Sequence, residues 1–367
     1  MSPPTAEQQL TFLTNLQRLL SEGQFVATYK YALLLALADI AVESGDDSGG
    51  PLSVSTKRIA EKFIQYYWRQ AIPYVPRSDP AASQVLRQNT SKQAAIIRQL
   101  LEARQHSDDS LVVAQRDTSA WKSLVQNVDH VIRVMPLWKL QTVGRSSFEF
   151  LYENRGKGTS IVLHPGVAYC LRQFYSLIGD LIRGAWVRYV RRHNHDLLGT
   201  TADLSEFLFG SERSERIAVR GILEEVQSGQ CFYCEQPMRR QTVHVDHFIP
   251  WSKYPLDLGH NFVVAHQSCN LAKADHLAAA KFLNAWVERN VHYRAHLADA
   301  FSQHGVLHDL SASIRIVNWA YQKTFDAGGL TWVGKQSMVP LPVNWQRPIL
   351  ALLAPGIVVA GDGMPRS

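Results

Sequence analysis

Residues 244–251 read HVDHFIPW and place an aspartate beside a histidine near the end of an apolar run. The composition around this pair is typical of a β-strand, in which neighbouring side chains point to opposite faces, until Pro250 ends the run. A lone Asp-His pair on a strand is usually a polar surface feature or a satisfied pair. The interpretation therefore depends on the flanking segments, CFYC at 231–234 and GHNFVVAHQSCNLAK at 259–273.

Two pairs of metal-binding residues bracket this strand. Cys231 and Cys234 have the spacing of a zinc knuckle, and His266 and Cys269 repeat that spacing downstream. Two such pairs across a loop-rich stretch are typical of a structural zinc site. A CxxC redox protein is the alternative, but the downstream His-x2-Cys pair disfavours it. Two nearby histidines compete with His266 as the fourth ligand: His244 and His260.

The zinc site would also position the residues that follow it. Asn270 comes directly after Cys269 and begins an alanine-rich helical pattern, and Lys273 lies one turn further on the same face. Together with Asp246 and His247, these residues give one small strand–loop–helix unit four groups. The groups are a carboxylate, an imidazole, an amide oxygen and an ammonium.

These groups suit the hydrolysis of a phosphodiester. A hard cation such as Mg²⁺ takes oxygen ligands and keeps water and phosphate oxygens in its other positions, and Asp246 and Asn270 can supply two ligands. The cation would stabilise negative charge on the phosphate and on the departing 3′ oxygen. His247 can accept a proton from the attacking water. The side chain of Asn261, both donor and acceptor, can hold the loop that follows His247.

The ordered motifs resemble those of the HNH endonucleases, in which a zinc site supports a ββα-metal fold. The resemblance covers about residues 215–290. It implies His247 as the general base, with Asp246 and Asn270 as ligands of a catalytic Mg²⁺ or Mn²⁺. One departure is His266, because many members have cysteine there; histidine is also a zinc ligand, so we expect zinc to be retained.

The same resemblance implies a structural role for Asn261 and a phosphate-side or structural role for Lys273. It implies a metal-dependent endonuclease that cuts DNA. The alternative is a catalytically silent zinc module that binds nucleic acid or a partner protein. Retention of the aspartate, the histidine and the metal-binding asparagine together favours the enzyme, since a silent module would be free to lose any of them.

Helical patterns dominate the rest of the chain, so we expect a mainly α fold whose helical regions flank a small HNH module with a zinc knuckle. A nuclease module with long helical flanks resembles bacterial anti-phage or restriction components. The flanks are also candidates for contact with a protein partner or a second copy of the chain. Five regions are predicted: a helical N-terminal region with a sensing, docking or DNA-contact role at 1–140, a hairpin and a long arginine-rich helix at 141–214, the HNH module at 215–290, a helical region at 291–353 and a loose tail at 354–367.

Two stretches before the module could contact DNA. Helices predicted over 8–44 and 55–72 could form a helix-turn-helix, or a bundle whose solvent face carries Lys57, Arg58 and Lys62. A hairpin is predicted between 147–154 and 159–165, followed by one long helix over 166–195. The arginines of that helix could track phosphates or form an ordinary solvated face: Arg183, Arg188, Arg191 and Arg192.

The overall composition permits nucleic acid as a partner. The chain of 367 residues has a formal net charge of +6 and a pI near 9.1. Its longest apolar run, YALLLALADIAV at 31–42, is too short to span a bilayer and contains Asp39. The first residues lack the pattern of a secretory signal. We therefore expect a cytoplasmic protein without a membrane segment.

Overall fold

A computed structural model of the chain describes residues 2–76, 80–90, 93–144, 146–154, 158–198, 203–210, 213–239 and 243–353. The predicted loose tail at 354–367 lies outside these residues. The chain divides into two compact units, Met1–Gly210 and Ser211–Ser367, called here the N-terminal unit and the C-terminal unit. Helices dominate both units, and the strands described form only two-stranded sheets, which confirms the expected mainly α fold.

The N-terminal unit is a helical body with short strand pairs. β1 pairs with β4 and β2 pairs with β3, both antiparallel. The described elements are α1 Ala6–Glu22, α2 Tyr29–Ser44, β1 Leu52–Ser55, α3 Thr56–Gln70, α4 Ala95–Gln105, α5 Leu111–Arg116, α6 Thr118–Val134, α7 Pro136–Lys139, β2 Thr142–Val143, β3 Ser146–Ser147, β4 Ser160–Leu163, α8 Val167–Gln173, α9 Tyr175–His193, α10 His195–Leu198 and α11 Leu204–Phe209.

Helix α2 is the centre of this unit because it is apolar on every side. Its residues from 30 to 43 are buried, and it packs against α3, α8 and α9. Asp39 is tolerated there because Tyr66 and Tyr175 donate hydrogen bonds to its two oxygens, at 2.6 and 2.7 Å. Within the described part of the chain, no helix combines the length and apolar character needed to cross a bilayer.

Of the two alternatives for this region, a helix-turn-helix and a helical bundle, the helix-turn-helix does not form between α2 and α3. Residues 45–55, which include β1, separate the two helices, whereas that motif uses a turn of about three or four residues. Lys62, predicted on a solvent face, is buried and forms an ion pair with Glu43, which also binds Arg58. Lys62 and Arg58 therefore contribute to the helix packing, whereas Lys57 is exposed, as predicted.

The predicted hairpin between 147–154 and 159–165 is also wrong. Strand β4 pairs along its length with β1, and the described residues of 147–154 reach it through a single bridge, Tyr152 to Leu163. The physical reason is the buried side chain of Gln141, which accepts from Leu151 N at 2.7 Å and donates to the Tyr152 carbonyl at 2.8 Å. The long helix predicted over 166–195 is divided at Phe174 into α8 and α9.

The C-terminal unit contains one helix before a strand pair and several after it. Its described elements are α12 Arg213–Val226, β5 Val243–His247, β6 Phe262–His266, α13 Gln267–Lys273, α14 Ala280–His292, α15 Arg294–Gln303, α16 Leu310–Asp326, β7 Leu330–Gly334, β8 Ser337–Pro340 and α17 Arg347–Leu350. Apolar side chains of α12, β5, β6 and α15 share one core. This core supports one face of the β5–β6 pair and so positions the residues described next.

Candidate active site and metal centre

Two antiparallel strands and a short helix form the frame of the site. β5 pairs with β6 so that His247 lies opposite Phe262 and Asp246 lies opposite Val263. α13 begins directly after β6 and packs against both strands. Since consecutive strand residues point to opposite faces, Asp246 and His247 meet different surroundings although they are neighbours in sequence.

Four candidate zinc ligands converge at the base of this frame. One ligand atom from each of Cys231, Cys234, His266 and Cys269 lies within 4.8 Å of the other three. His266 Nδ1 is 3.3 Å from the Cys234 sulfur, and its Nε2 is 3.3 Å from the Pro237 carbonyl oxygen. Three thiols and one imidazole match a structural zinc site, and a carbonyl on the second ring nitrogen orients such a ligand.

Backbone hydrogen bonds fix the knuckle onto β6. Phe232 N donates to the Val264 carbonyl at 3.0 Å, and His266 N donates to the Cys231 sulfur at 3.3 Å. Burial, reinforced by the two neighbouring thiols, raises the pKa of the Cys269 thiol to about 12. A bound divalent cation reverses such a preference by favouring the thiolate. The other two histidines considered as ligands, His244 and His260, lie outside this cluster.

The imidazole of His247 is held on three sides. Its Nε2 is 2.7 Å from Oδ1 of Asp257, in the loop between β5 and β6. Its ring centre is 4.7 Å from that of Phe262 and 5.4 Å from that of Trp251. The sequence reasoning did not select Asp257, although it is the only acidic residue between His247 and Asn261.

Asn261 holds the chain just after His247. Its side-chain oxygen accepts from Ile249 N at 2.8 Å, and its side-chain nitrogen donates to the Ile249 carbonyl at 3.0 Å. Its own carbonyl accepts from Phe248 N at 2.7 Å. These bonds fix the backbone that leaves β5.

Asp246 is buried and engaged on both oxygens. Lys273 Nζ lies 3.1 Å from Oδ2 and 3.4 Å from Oδ1, and it donates to the His247 carbonyl at 2.9 Å. Tyr233 donates its hydroxyl to Oδ2 at 2.5 Å. Burial, followed by the charge of Asp246, raises the pKa of Tyr233 well above its usual range, so the hydroxyl stays protonated and donates.

Asn270 completes the set of expected oxygen ligands. It lies on α13, partly exposed, and its amide has no hydrogen-bond partner within the described part of the chain. A carboxylate oxygen has further lone pairs after accepting one hydrogen bond. Carboxylate and amide oxygens, the donors that Asp246 and Asn270 offer, are the kinds of ligand that a hard divalent cation such as Mg²⁺ takes.

Helix α14 anchors the loop before β6, a feature that the sequence reasoning missed. The carbonyl of His260 accepts from Trp286 Nε1 at 2.9 Å, from Arg289 at 2.9 Å and from Asn290 at 3.3 Å. Arg289 also donates to the Phe262 carbonyl at 2.7 Å. Residues beyond the motifs thus hold the loop that contains Asp257 and Asn261.

The predicted phosphate-contacting arginines lie on α9 in the N-terminal unit. Arg188, Arg191 and Arg192 are exposed, whereas Arg183 is half-buried and forms an ion pair with Asp180 at 3.2 Å. These side chains form part of the unit's surface. A surface position is compatible both with phosphate contact and with an ordinary solvated face.

Comparison with known families identifies two regions of the chain. Residues 9–206, more than half of the chain, match the family model described as a domain of unknown function (DUF8808). Residues 231–276 match the model described as HNH endonuclease, which confirms the resemblance inferred from the sequence. No curated protein matches the chain.

Proposed function

We propose that this chain, which belongs to the family of the domain of unknown function (DUF8808) and carries an HNH endonuclease segment, is a metal-dependent endonuclease that hydrolyses phosphodiester bonds of DNA. The observation that supports this most is the arrangement at the end of β5. A fixed imidazole, that of His247, directly follows the carboxylate of Asp246 and precedes a backbone segment clamped by Asn261. A fixed base beside a metal-ligand candidate is the arrangement that hydrolysis needs.

Asp246 and Asn270 would hold the catalytic cation, Mg²⁺ or Mn²⁺. When bound, this cation supplies positive charge to the phosphate oxygens and to the departing 3′ oxygen. Lys273 has no exposed surface and bonds to Asp246 and to the His247 carbonyl. This burial favours a positioning role for Lys273 over direct contact with the phosphate.

In the proposed reaction, His247 is the proton acceptor. A water oxygen forms a bond to the scissile phosphorus while one proton of that water passes to the ring nitrogen that does not contact Asp257. The bond from phosphorus to the 3′ oxygen breaks with its electron pair, and the 3′ oxygen takes up a proton from solvent. The products are a 5′ phosphate and a 3′ hydroxyl, and the imidazole returns its proton to solvent.

The zinc site holds the frame in this proposal and takes no part in the chemistry. Cys231 and Cys234 connect the segment after α12 to the start of α13, where His266 and Cys269 lie. Such a clamp would fix the start of α13, and therefore Asn270, relative to the knuckle and β6.

One observation favours the second candidate, a catalytically silent zinc module that binds nucleic acid or a protein. Asp246 is already paired with the Lys273 ammonium and the Tyr233 hydroxyl, so it could serve structure alone. A carboxylate held only for structure would not respond to added Mg²⁺. The two candidates therefore differ in whether divalent cations produce cleavage.

The test uses the full chain with supercoiled plasmid in Mg²⁺, in Mn²⁺ and with EDTA. His247→Ala should keep its zinc, its melting temperature and plasmid binding, yet lose cleavage by about two or more orders of magnitude, because the attacking water loses its proton acceptor. His244→Ala is the matched control, since His244 lies on the same strand and outside the site. An RNA of matched length in a parallel reaction tests the choice of DNA.

Three outcomes decide between the candidates. Cation-dependent cleavage lost only in His247→Ala supports the endonuclease. No cleavage by the wild type with any divalent cation supports the silent module. Unfolding of His247→Ala would show that this histidine has a structural duty and would overturn the assignment of the base.

We further propose that the protein acts in bacterial defence against phage, with the N-terminal unit sensing or recruiting a partner. The support is the pairing of an HNH segment with a large helical domain in one chain. Phage plating on bacteria that express the wild type should fall relative to bacteria that express His247→Ala. Equal plating on both strains would reject this role without affecting the proposed chemistry.

A further inference from the structure

We infer that Asp257 is a positioning residue for His247, holding its imidazole in the tautomer that keeps the proton on Nε2 and the lone pair on Nδ1. This inference rests on the proposed function, because it assigns a task within the same site. It concerns a carboxylate in the loop between β5 and β6 that none of the motifs includes. The contact at 2.7 Å between Asp257 Oδ1 and His247 Nε2 is its starting point.

The chemistry of the contact determines the tautomer. A neutral imidazole has one N–H donor and one lone pair, and an ionised carboxylate can only accept. Nε2 must therefore carry the hydrogen, and the lone pair that can accept a proton from water is on Nδ1. Ring contacts with Phe262 and Trp251 limit rotation of the imidazole, so Asp257 decides which nitrogen presents its lone pair.

Stability alone does not account for this carboxylate. The side chain of Asp257 is only 11% exposed, and its one ion-pair partner within the described residues is the histidine. Its second oxygen, Oδ2, is buried without any hydrogen-bond partner there. Burying a carboxylate so poorly satisfied costs free energy of folding. The contact with the imidazole is the one ion-pair interaction within the described residues that offsets this cost.

The part of the loop that follows Asp257 holds this residue in place. Gly259 N donates to the Leu307 carbonyl at 2.7 Å, and a Cβ at Gly259 would lie 2.7 Å from the Phe301 ring. Asn261 and the donors of α14 fix the next residues. The carboxylate is therefore presented by a loop that is anchored directly after Asp257, from Gly259 to Asn261.

The kinetic experiment compares three substitutions of Asp257 in the full chain with Mg²⁺ and plasmid. Asp257→Asn keeps the shape but can donate to the ring and favour the wrong tautomer, so kcat should fall by about tenfold or more while KM stays within about twofold. Asp257→Ala should behave similarly. Asp257→Glu retains a carboxylate and should recover part of the loss. Asp299→Asn, at an exposed position of α15, is the matched control.

A double substitution separates positioning from structure. If Asp257 acts through His247, then adding Asp257→Asn to His247→Ala should cause no further loss of kcat. A further loss as large as that in the wild-type background would overturn the inference. So would an unchanged kcat in Asp257→Asn, or a loss that appears only in KM.

A spectroscopic measurement decides the point without any activity. Nitrogen-15 NMR of the histidine-labelled chain, above the pH at which imidazoles are protonated, distinguishes protonated Nε2 from protonated Nδ1. The His247 signals, assigned by their loss in His247→Ala, should report the Nε2–H tautomer in the wild type and a mixture or the opposite tautomer in Asp257→Asn. An identical tautomer in both proteins would overturn the inference. If the wild type cleaves nothing, the proposed function fails while this measurement still tests the contact.

Discussion

His260 is a buried histidine with neither ring nitrogen hydrogen-bonded within the described part of the chain. It packs edge-on against Phe301, with ring centres 5.3 Å apart, and the His308 ring lies 6.0 Å away. Burial, with smaller contributions from His308 and Arg289, lowers the pKa of His260 well below its usual value. The folded protein therefore holds this ring neutral at pH values where the unfolded chain protonates it.

This pKa shift predicts a loss of stability in mild acid. Above about pH 6.5 neither state binds the proton, and as the pH falls below that value only the unfolded state does, so its free energy drops by about 1.4 kcal/mol per pH unit. Between pH 7 and 5.5, the free energy of unfolding in urea should fall by about 1 kcal/mol more for the wild type than for His260→Phe. His292→Gln, at an exposed position, is the control. If the free energy of unfolding changed with pH in the same way for the wild type and for His260→Phe, the prediction would be contradicted.

The knuckle of Cys231 and Cys234 is the element that we expect to depend on metal, because its thiols cluster with His266 and Cys269. We predict one tightly held zinc per chain, measured by elemental analysis after dialysis against a weak chelator. Cys269→Ala should lose the zinc and the cleavage activity, and its melting temperature should fall, because a structural zinc contributes folding free energy. Cys170→Ala, at a buried cysteine outside the cluster, should keep the zinc. Folded wild type without zinc would reject the knuckle.

Helix α14 is the element that anchors the loop before β6. Arg289→Met removes donors from two carbonyls, those of His260 and Phe262, whereas Trp286→Phe removes one of three donors from a single carbonyl. An unsatisfied buried carbonyl costs about 1–3 kcal/mol, so Arg289→Met should lower the urea midpoint more than Trp286→Phe. Arg294→Met, at an exposed position, should leave the midpoint unchanged. A lower urea midpoint for Trp286→Phe than for Arg289→Met would show that α14 packs against the loop without anchoring it through hydrogen bonds.

The arginines of α9 bear on how the whole molecule binds DNA. If α9 tracks phosphates, then Arg188→Glu with Arg191→Glu should weaken plasmid binding and lower the slope of log affinity against log salt by roughly 2. Arg98→Glu with Lys122→Glu changes the net charge equally at other exposed positions and should have a smaller effect. Equal slopes in both double variants would make the arginines of α9 an ordinary solvated face.

Sequence alone predicted those parts of the molecule whose determinants are local. The ligand spacing of Cys231, Cys234, His266 and Cys269 was sufficient to predict the cluster, because zinc imposes the same geometry on many chains. The pairing of β1 with β4 was not predictable, since it joins distant segments after Gln141 takes the nearer backbone groups. The roles assigned to the catalytic residues stay predictions until the variants are measured.

The site residues that the sequence missed share a physical cause. Asp257 reaches the imidazole only because the loop folds back, and α14 reaches the same loop from a later part of the chain. Neither contact leaves a spacing or a periodic pattern in the sequence. Both depend on packing that follows from the whole C-terminal unit.

The three hydrogen bonds on the His260 carbonyl have a consequence for protein engineering. The stretch that matches the HNH model ends at residue 276, yet all three donors come from α14, which begins at Ala280. A graft of the matched stretch onto another protein would transfer the proposed metal ligands and the proposed base but leave out the donors that hold the loop between β5 and β6. A transplant of this chemistry therefore has to include α14.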